Sequence, residues 1–549
     1  MWSQIQRKRK DLRVIISSAT LDAHAFKRFF ETNRTPDKAK DTAAIVSVEG
    51  RQHAVEVFYV KKPVRDYVQA AVDTAFYIHQ SMPAGDVLIF LSGQQEIDQA
   101  VRMINSTETT DLQAVSLYAS LPHDQQLRAF QPPPRGVRKV VVATNVAETS
   151  VTIPGIVYVV DSGFAKIVSF NPRSGMEALV VTPISQANAN QRAGRAGRIR
   201  AGKCFRLYTE ASFVANMPVR TVPEMQRSNL ASVVLQLKAL GVEDVVHFDF
   251  MSPPHPLMLI NAVELLYSLG ALDENGGLVH PLGTTMAEFP VEPRMARILL
   301  EAGKMGCAEE VLSICAMLSV QDVFTNVAGR MVSVKGKAEA ARRLYAVYEG
   351  DHISLLNVFN AWLENGKEAE WAHTNFLNVK ALRRASDIRK ELRRYLVKFD
   401  VPVTSCAESK DANVLIRKCI VSGYFANAAQ LQANGSYKPV RGGADVLSIH
   451  SSSSLYRDAP RWVLYHDLVH SAAGVKQMRD VSVIEPMWLA EMAPHFYEFK
   501  GIKQHITSEQ QQATKAKHTA AMEAEEQLNS AGETVIEEGT LDKTSNLAS

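Results

Sequence analysis

The string Gln191-Arg192-Ala193-Gly194-Arg195-Ala196-Gly197-Arg198 sets three guanidiniums three residues apart with only glycine and alanine between them. On a helix that spacing predicts Arg192, Arg195 and Arg198 near one face, and the small residues admit a second surface close to the backbone. A guanidinium is permanently charged and offers phosphate oxygens a rigid two-pronged donor, so the chemistry this string suits is polyanion binding. The plainer alternative is a basic helix facing water.

The elements that must carry such a string are legible around it. Short apolar runs (DVLIFLS, AVSLYA, RKVVVATN, GIVYVVD) alternate with amphipathic stretches (EIDQAVRMI, HDQQLRAF), the pattern of a parallel sheet covered by helices on both faces. Residues 61–218 therefore read as one complete α/β domain. Residues 1–60, with strand-like runs at 12–17 and 44–50, read as the last part of another. FAKIVSF and MEALVVTP flank Asn171-Pro172-Arg173-Ser174-Gly175 and predict a protruding β-hairpin over 164–183.

Beyond Pro223 the periodicity turns helical, and two or three short helices with a Gly276-Gly277 turn suggest a winged helix at 219–288. Residues 289–405 read as a helical bundle whose basic stretch KALRRASDIRKELRRYL has the look of a solvated face. Short β runs at 406–500 fit a small barrel of the OB type. Residues 501–549 contain no aromatic and no proline, and a disordered or partly helical tail is expected there.

Bulk composition narrows the classes. At 549 residues the chain exceeds one core, and about three to five domains is the natural expectation. Apolar residues at 46% and charged residues at 22% exclude collagenous or mainly disordered classes. No apolar run approaches the ~20 residues of a membrane span, so no membrane role is expected. The five cysteines form no C-x-x-C pair, which argues against a zinc site or redox dithiol, and a reducing compartment is expected. A net charge of only +3 leaves any nucleic-acid case to local motifs.

Those motifs carry a resemblance. QRAGRAGR is similar to motif VI of superfamily 2 helicases, and of their DEAH-box branch in particular. Ser18-Ala19-Thr20 resembles motif III, LIFLSGQQEI (88–97) motif IV, and TNVAETS (144–150, continuing to Thr152) motif V. GDHISLLNVF, NFLNVKALRRASDIR and APHFY resemble the winged-helix, ratchet and OB-fold region that follows in spliceosome-associated members.

The resemblance implies two RecA-like domains with ATP and Mg²⁺ bound between them. It places Arg195 and Arg198 as arginine fingers and Gln191 beside the attacking water. Phe130 stacks on the base and Thr152 touches the nucleotide. Ser92, Gly93, Thr144 and Asn145 hold the RNA backbone, and Ser18 and Thr20 couple nucleotide state to domain closure. The remaining implications are nuclear localisation, RNA and spliceosomal proteins as partners, a glycine-rich-motif activator as in some members, and a monomer.

The chain also departs from the family. No G-x-x-x-x-G-K-[ST] string and no Asp-Glu-Ala-His string occurs in it, and Pro154 stands where many members carry an acidic residue. The metal ligands are therefore expected outside these residues, and the chain is expected to be truncated within its first RecA-like domain and inactive alone. Two other readings stay open. One is a non-catalytic RNA- or protein-binding module derived from a helicase, and the other is a DNA helicase on the same fold.

Overall fold

The computed structural model describes residues 5, 9, 11–17, 23–33, 35–47, 53–107, 109–119, 121, 123–149, 151–172, 176–320, 323–325, 332–440, 446–470 and 475–497. Ser18 and Thr20, expected to couple nucleotide state to closure, lie outside the described residues, as does the expected tail at 501–549.

Six parallel strands form the first sheet: β1 (Val55–Tyr59), β2 (Asp86–Phe90), β3 (Leu112–Leu117), β4 (Arg138–Ala143), β5 (Ile156–Asp161) and β8 (Gly202–Arg206), in the order β1-β8-β5-β2-β4-β3. β2 and β5 are buried at every position, which explains why they read as unbroken apolar runs and not as alternating ones. Val87, Ile89 and Val140 face one core and Leu88, Phe90 and Val141 the other, so helices cover both faces. The helix Tyr67–Ser81 shows how local sequence sets this up: Asp66 caps it through the amides of Val68 and Gln69, and Val68, Ala71, Val72, Ala75 and Ile78 form its buried stripe.

Two expectations about residues 1–60 are corrected. Val55–Tyr59 is not a remnant of another domain; it is the edge strand of this sheet, paired in parallel with β8 from Val55↔Gly202 to Tyr59↔Arg206. The predicted strand at 12–17 is chain without regular secondary structure, outside any sheet, with Ile15 92% exposed. An apolar run becomes a strand only where a neighbour satisfies its backbone, and among the described residues none lies beside it. At 44–50 the described part, 44–47, is likewise not a strand.

β6 (Phe164–Asn171) and β7 (Met176–Pro183) pair antiparallel from Phe164↔Pro183 to Asn171↔Met176. This hairpin is fastened along its length. The Phe170 amide donates to the Arg227 carbonyl at 2.7 Å, the Arg227 guanidinium to the Val168 carbonyl at 3.0 Å, and the Asn229 amide to the Glu177 carboxylate at 2.8 Å. Phe170 enters a core shared by the helices Ala231–Ala239, Pro256–Ser268, Pro293–Met305, Ala308–Leu318 and Ala412–Tyr424. The winged-helix segment has three short helices and one Leu272↔Leu278 bridge in place of a full wing.

A closed five-stranded barrel follows, ordered β10-β11-β13-β12-β9: β9 (Ala428–Leu431), β10 (Tyr437–Pro439), β11 (Leu447–Ile449), β12 (Trp462–His470) and β13 (Lys476–Val483). The helix Ala412–Tyr424 leads into this barrel. Ile416, Cys419, Ile420 and Gly423 recur at helical spacing and bury against Pro293–Met305, so close that a β-carbon on Gly423 would sit 2.3 Å from the Arg294 carbonyl oxygen.

Candidate nucleotide and RNA site

The helix carrying the arginine string starts where Ser185 caps the Asn188 amide and ends at Gly194. The three guanidiniums therefore do not share one helical face, which corrects that expectation: Arg195 and Arg198 lie beyond the last turn, and each arginine has its own environment. Arg192 points inward and is fully buried. Its Nη1 lies 2.8 Å from Asp161 at the end of β5, and its Nε 3.1 Å from Glu148 in the short helix Val146–Thr149. Its Cζ lies over the Phe90 ring, 4.8 Å from the centroid, and Nη1 and Nη2 both donate to the Phe164 carbonyl at 3.3 Å. Burial works against its charge, but Asp161 and Glu148 outweigh that and raise its pKa. Arg192 thus ties together four elements: β2, β5, the TNVAETS segment and the hairpin root.

Arg195 and Arg198 face a cleft lined also by Leu88, Ala147, Val151, Ile153 and Ile156. Arg195 donates to the Val151 carbonyl at 2.9 Å and to the Glu148 carbonyl. Arg198 donates to the Thr152 hydroxyl. Burial first, then the neighbouring Arg198 charge, push the Arg195 pKa down to about 10. The Glu148 carboxylate is engaged by Arg192 and Asn188, so the two guanidiniums at the cleft have carbonyls and a hydroxyl for partners and no dedicated counter-ion among the described residues. Two adjacent guanidiniums with no directly paired carboxylate among the described residues have the chemistry to receive a polyanion.

Gly197 supports this edge. Its carbonyl accepts from the His53 amide at 2.9 Å, and a β-carbon there would meet the His53 carbonyl oxygen at 2.5 Å. Gln191 is half-buried on the same helix. Phe130, at the end of the helix His123–Phe130, packs partly buried against the Leu88, Ile153 and Ile156 cluster; it does not line the cleft with Arg195.

The other expected residues gather at the carboxyl ends of β2 and β4, which are neighbouring strands. Open α/β sheets bind ligands at that edge. Ser92 is buried, and its hydroxyl and amide donate to the Glu96 carboxylate at 2.7 and 3.0 Å, while the Tyr67 hydroxyl holds the other Glu96 oxygen at 2.6 Å. The Ser92 hydroxyl therefore shapes the loop, and Gly93 is the residue that presents backbone. The helix Gln94–Asn105 begins there with no side-chain cap, and the Lys166 ammonium lies 2.7 Å from where a β-carbon of Gly93 would be. Thr144 is half-buried and Asn145 exposed at the start of Val146–Thr149.

Reasoning from sequence missed Glu148, Asp161 and Lys166. Asp161 had a signal, since it is a carboxylate closing an otherwise apolar strand. Lys166 had none, because only the hairpin fold brings it over Gly93.

Comparison with known proteins gives the same sequence of parts. Residues 68–200 match the model of the helicase conserved C-terminal domain, 262–291 the winged-helix and 292–355 the ratchet-like helicase associated domain (HA2), and 416–497 an oligonucleotide/oligosaccharide-binding (OB)-fold. The chain is 48% identical over 509 residues to "Probable ATP-dependent RNA helicase DHX35" of Homo sapiens, covering 91% of this chain and 71% of that protein. It belongs to the DEAH-box ATP-dependent RNA helicases. The Caenorhabditis elegans DHX35 homolog is 45% identical over 497 residues, covering 89% of this helicase chain and 66% of the relative. As a family member the chain is a helicase of the ATP- and RNA-binding class, and the four domain matches fall on the parallel sheet, the short-helix segment, the helical bundle and the barrel described above.

Proposed function

We propose that this helicase couples ATP hydrolysis to movement along RNA or to remodelling of RNA–protein complexes in nuclear pre-mRNA splicing, with spliceosomal proteins as partners. The nuclear splicing role is supported by the likeness of its motif strings to spliceosome-associated members. Arg195 and Arg198 serve as arginine fingers to a nucleotide held against another RecA-like domain. The observation that carries this is two guanidiniums at one cleft beside Thr152, bonded to carbonyls and a hydroxyl and to no carboxylate among the described residues. An arginine finger in well-studied NTPases is worth about 10³–10⁵ in rate.

When bound, ATP with Mg²⁺ supplies the phosphoryl group and the cation that neutralises it. The residues of this chain orient and stabilise: Gln191 lies on the same helix edge, Thr152 holds Arg198, and Phe130, which packs outside the cleft, is the base-stacking aromatic in this reading. Gly93, Thr144 and Asn145 contact the RNA backbone irrespective of sequence, as a stepping motor requires. A protein of this family works as a monomer in this reading, with a glycine-rich-motif activator as one class of regulator.

The 549 residues contain no phosphate-loop string, so the isolated chain is expected to turn over no ATP. RNA-stimulated ATP hydrolysis, measured for this polypeptide and for the protein isolated from its source cells, tests the reading. Turnover by the cellular protein alone supports it, and turnover by the isolated chain overturns the expected inactivity. A second reading, a docking module without catalysis, is favoured by one observation: winged helix, bundle and barrel-capping helices share one continuous core independent of the nucleotide cleft. Absence of turnover in both preparations would select it.

A further inference from the structure

The helix His123–Phe130 is followed by Gln131-Pro132-Pro133-Pro134. In a continuing helix the carbonyls of Arg128, Ala129 and Phe130 would accept from the amides of residues 132–134, and proline has no N–H to give. The helix must stop there, and its last carbonyls need donors from elsewhere. One side chain supplies two of them. The Lys139 ammonium donates to the Ala129 carbonyl and to the Gln131 carbonyl, each at 2.8 Å, and so straddles Phe130.

Lys139 is the second residue of β4 and is only 3% exposed, on the sheet face that also carries Val141 and Ala143. Lysine is rarely buried unless paired, because taking an ammonium out of water is costly. Here the two carbonyls at a helix C-terminus and the Asp86 carboxylate, 4.0 Å away, offset that cost. Asp86 also accepts from the Lys139 amide at 3.1 Å, which ties the base of the side chain to β2. The ammonium is therefore a fixed point under the end of the helix.

What this point holds in place is Phe130. Ala129 is fully buried, and Phe130 packs against a cluster that includes Leu88, Ile153 and Ile156, three residues that also line the cleft with Arg195 and Arg198. We propose that Lys139 is a positioning residue for nucleotide binding: by holding the backbone on either side of Phe130, it sets the ring where the base of the nucleotide stacks. The proposal rests on the base-stacking reading of Phe130 above. Lys139 itself touches no part of the nucleotide and acts through the ring, leaving the arginines that meet the phosphates unmoved.

The test is RNA-stimulated ATP turnover by the protein isolated from its source cells, as parent, Lys139→Met, Phe130→Ala and the double variant, each checked for folding by circular dichroism and thermal melting. Lys139→Met keeps a long apolar stem and removes the ammonium. A base–aromatic stack contributes about tenfold or more in affinity, so Phe130→Ala raises KM for ATP by about that factor and Lys139→Met by about three- to tenfold. The effect of Lys139→Met falls on KM and not on kcat, as expected for lost binding. Because the lysine acts through the ring, the double variant has the KM of Phe130→Ala alone. If Lys139→Met does not fold, Lys139→Gln, whose amide still donates to one of the two carbonyls, gives the same pattern with a smaller shift.

A parental KM in the lysine variant overturns the proposal, and so does a loss confined to kcat. A double variant whose KM exceeds that of Phe130→Ala by the full factor of the lysine variant also overturns it, since the lysine would then act independently of the ring. If Phe130→Ala keeps the parental KM, the stacking reading itself fails. Absence of turnover in the parent removes the nucleotide reading as a whole.

Discussion

The guanidinium of Arg192 lies 2.8 Å from the carboxylate of Asp161, and neither side chain reaches solvent. With Glu148 on the opposite side, the pair links the arginine string to the segment after β4 and to the root of the hairpin. A buried ion pair of this kind adds little net stability over a well-packed apolar replacement, yet breaking one half of it is costly. Its value is positional, since it sets where Arg195 and Arg198 emerge.

Arg192→Met should destabilise the α/β domain by about 3–5 kcal/mol, because two carboxylates lose their counter-charge in the interior. Arg192→Met combined with Glu148→Gln and Asp161→Asn should recover part of that loss. Urea unfolding of the three proteins checks it; equal midpoints for parent and single variant would show that the pair is not a keystone.

Gly350 stands at φ +113°, and a β-carbon there would meet the Val481 carbonyl oxygen at 2.3 Å. It joins the bundle to the barrel, where Asp351 accepts from the amides of Ser454 at 2.7 Å and Val481 at 2.8 Å. Gly350→Ala should therefore cost at least about 1–3 kcal/mol. It should loosen the barrel first, read as faster amide exchange in β13 with β2 and β4 unchanged.

Acid should weaken the same junction. Burial pushes the pKa of His352 down to about 3 and that of His466 to about 4, so both stay neutral in the fold while an unfolded chain takes up protons near the ordinary value of 6.5. Between about pH 6.5 and 4 the unfolded state binds more protons, and stability falls as pH falls, by up to about 1.4 kcal/mol per pH unit for each histidine. Asp480, raised to about 6 by burial and then by the nearby Asp351 charge, acts in the opposite sense: its contribution is present below about 4 and is lost as pH rises to about 6. The two histidines outweigh it. His466→Phe keeps the ring packed edge-on to Tyr424 and should flatten the pH dependence of the melting temperature in this window; an unchanged slope would refute the assignment.

Much of this was legible in the sequence, and the failures have physical causes. β2, β4 and β5 announced themselves because both faces of a parallel strand are buried, and the hairpin announced itself through its turn residues. Residues 12–17 have the same apolar composition as β2, but being a strand depends on having a neighbour, which local composition does not encode. The edge strand β1 was assigned to the wrong domain because pairing with β8 joins residues almost 150 apart in the chain. The arginine spacing placed all three guanidiniums on one face, whereas the inward turn of Arg192 depends on two distant carboxylates, Glu148 and Asp161. Ser92 is an RNA-backbone contact by the motif IV resemblance, and what the sequence did not show is that its hydroxyl donates to Glu96.

The central claim, that Arg195 completes a nucleotide site across a domain interface, is tested most directly by RNA-stimulated ATP turnover of the cell-derived protein with Arg195→Ala against the parent. The account predicts a fall of about 10³-fold or more, with RNA affinity in the absence of nucleotide unchanged. Turnover retained at the parent rate would contradict it and would leave the arginine string a structural feature of the sheet.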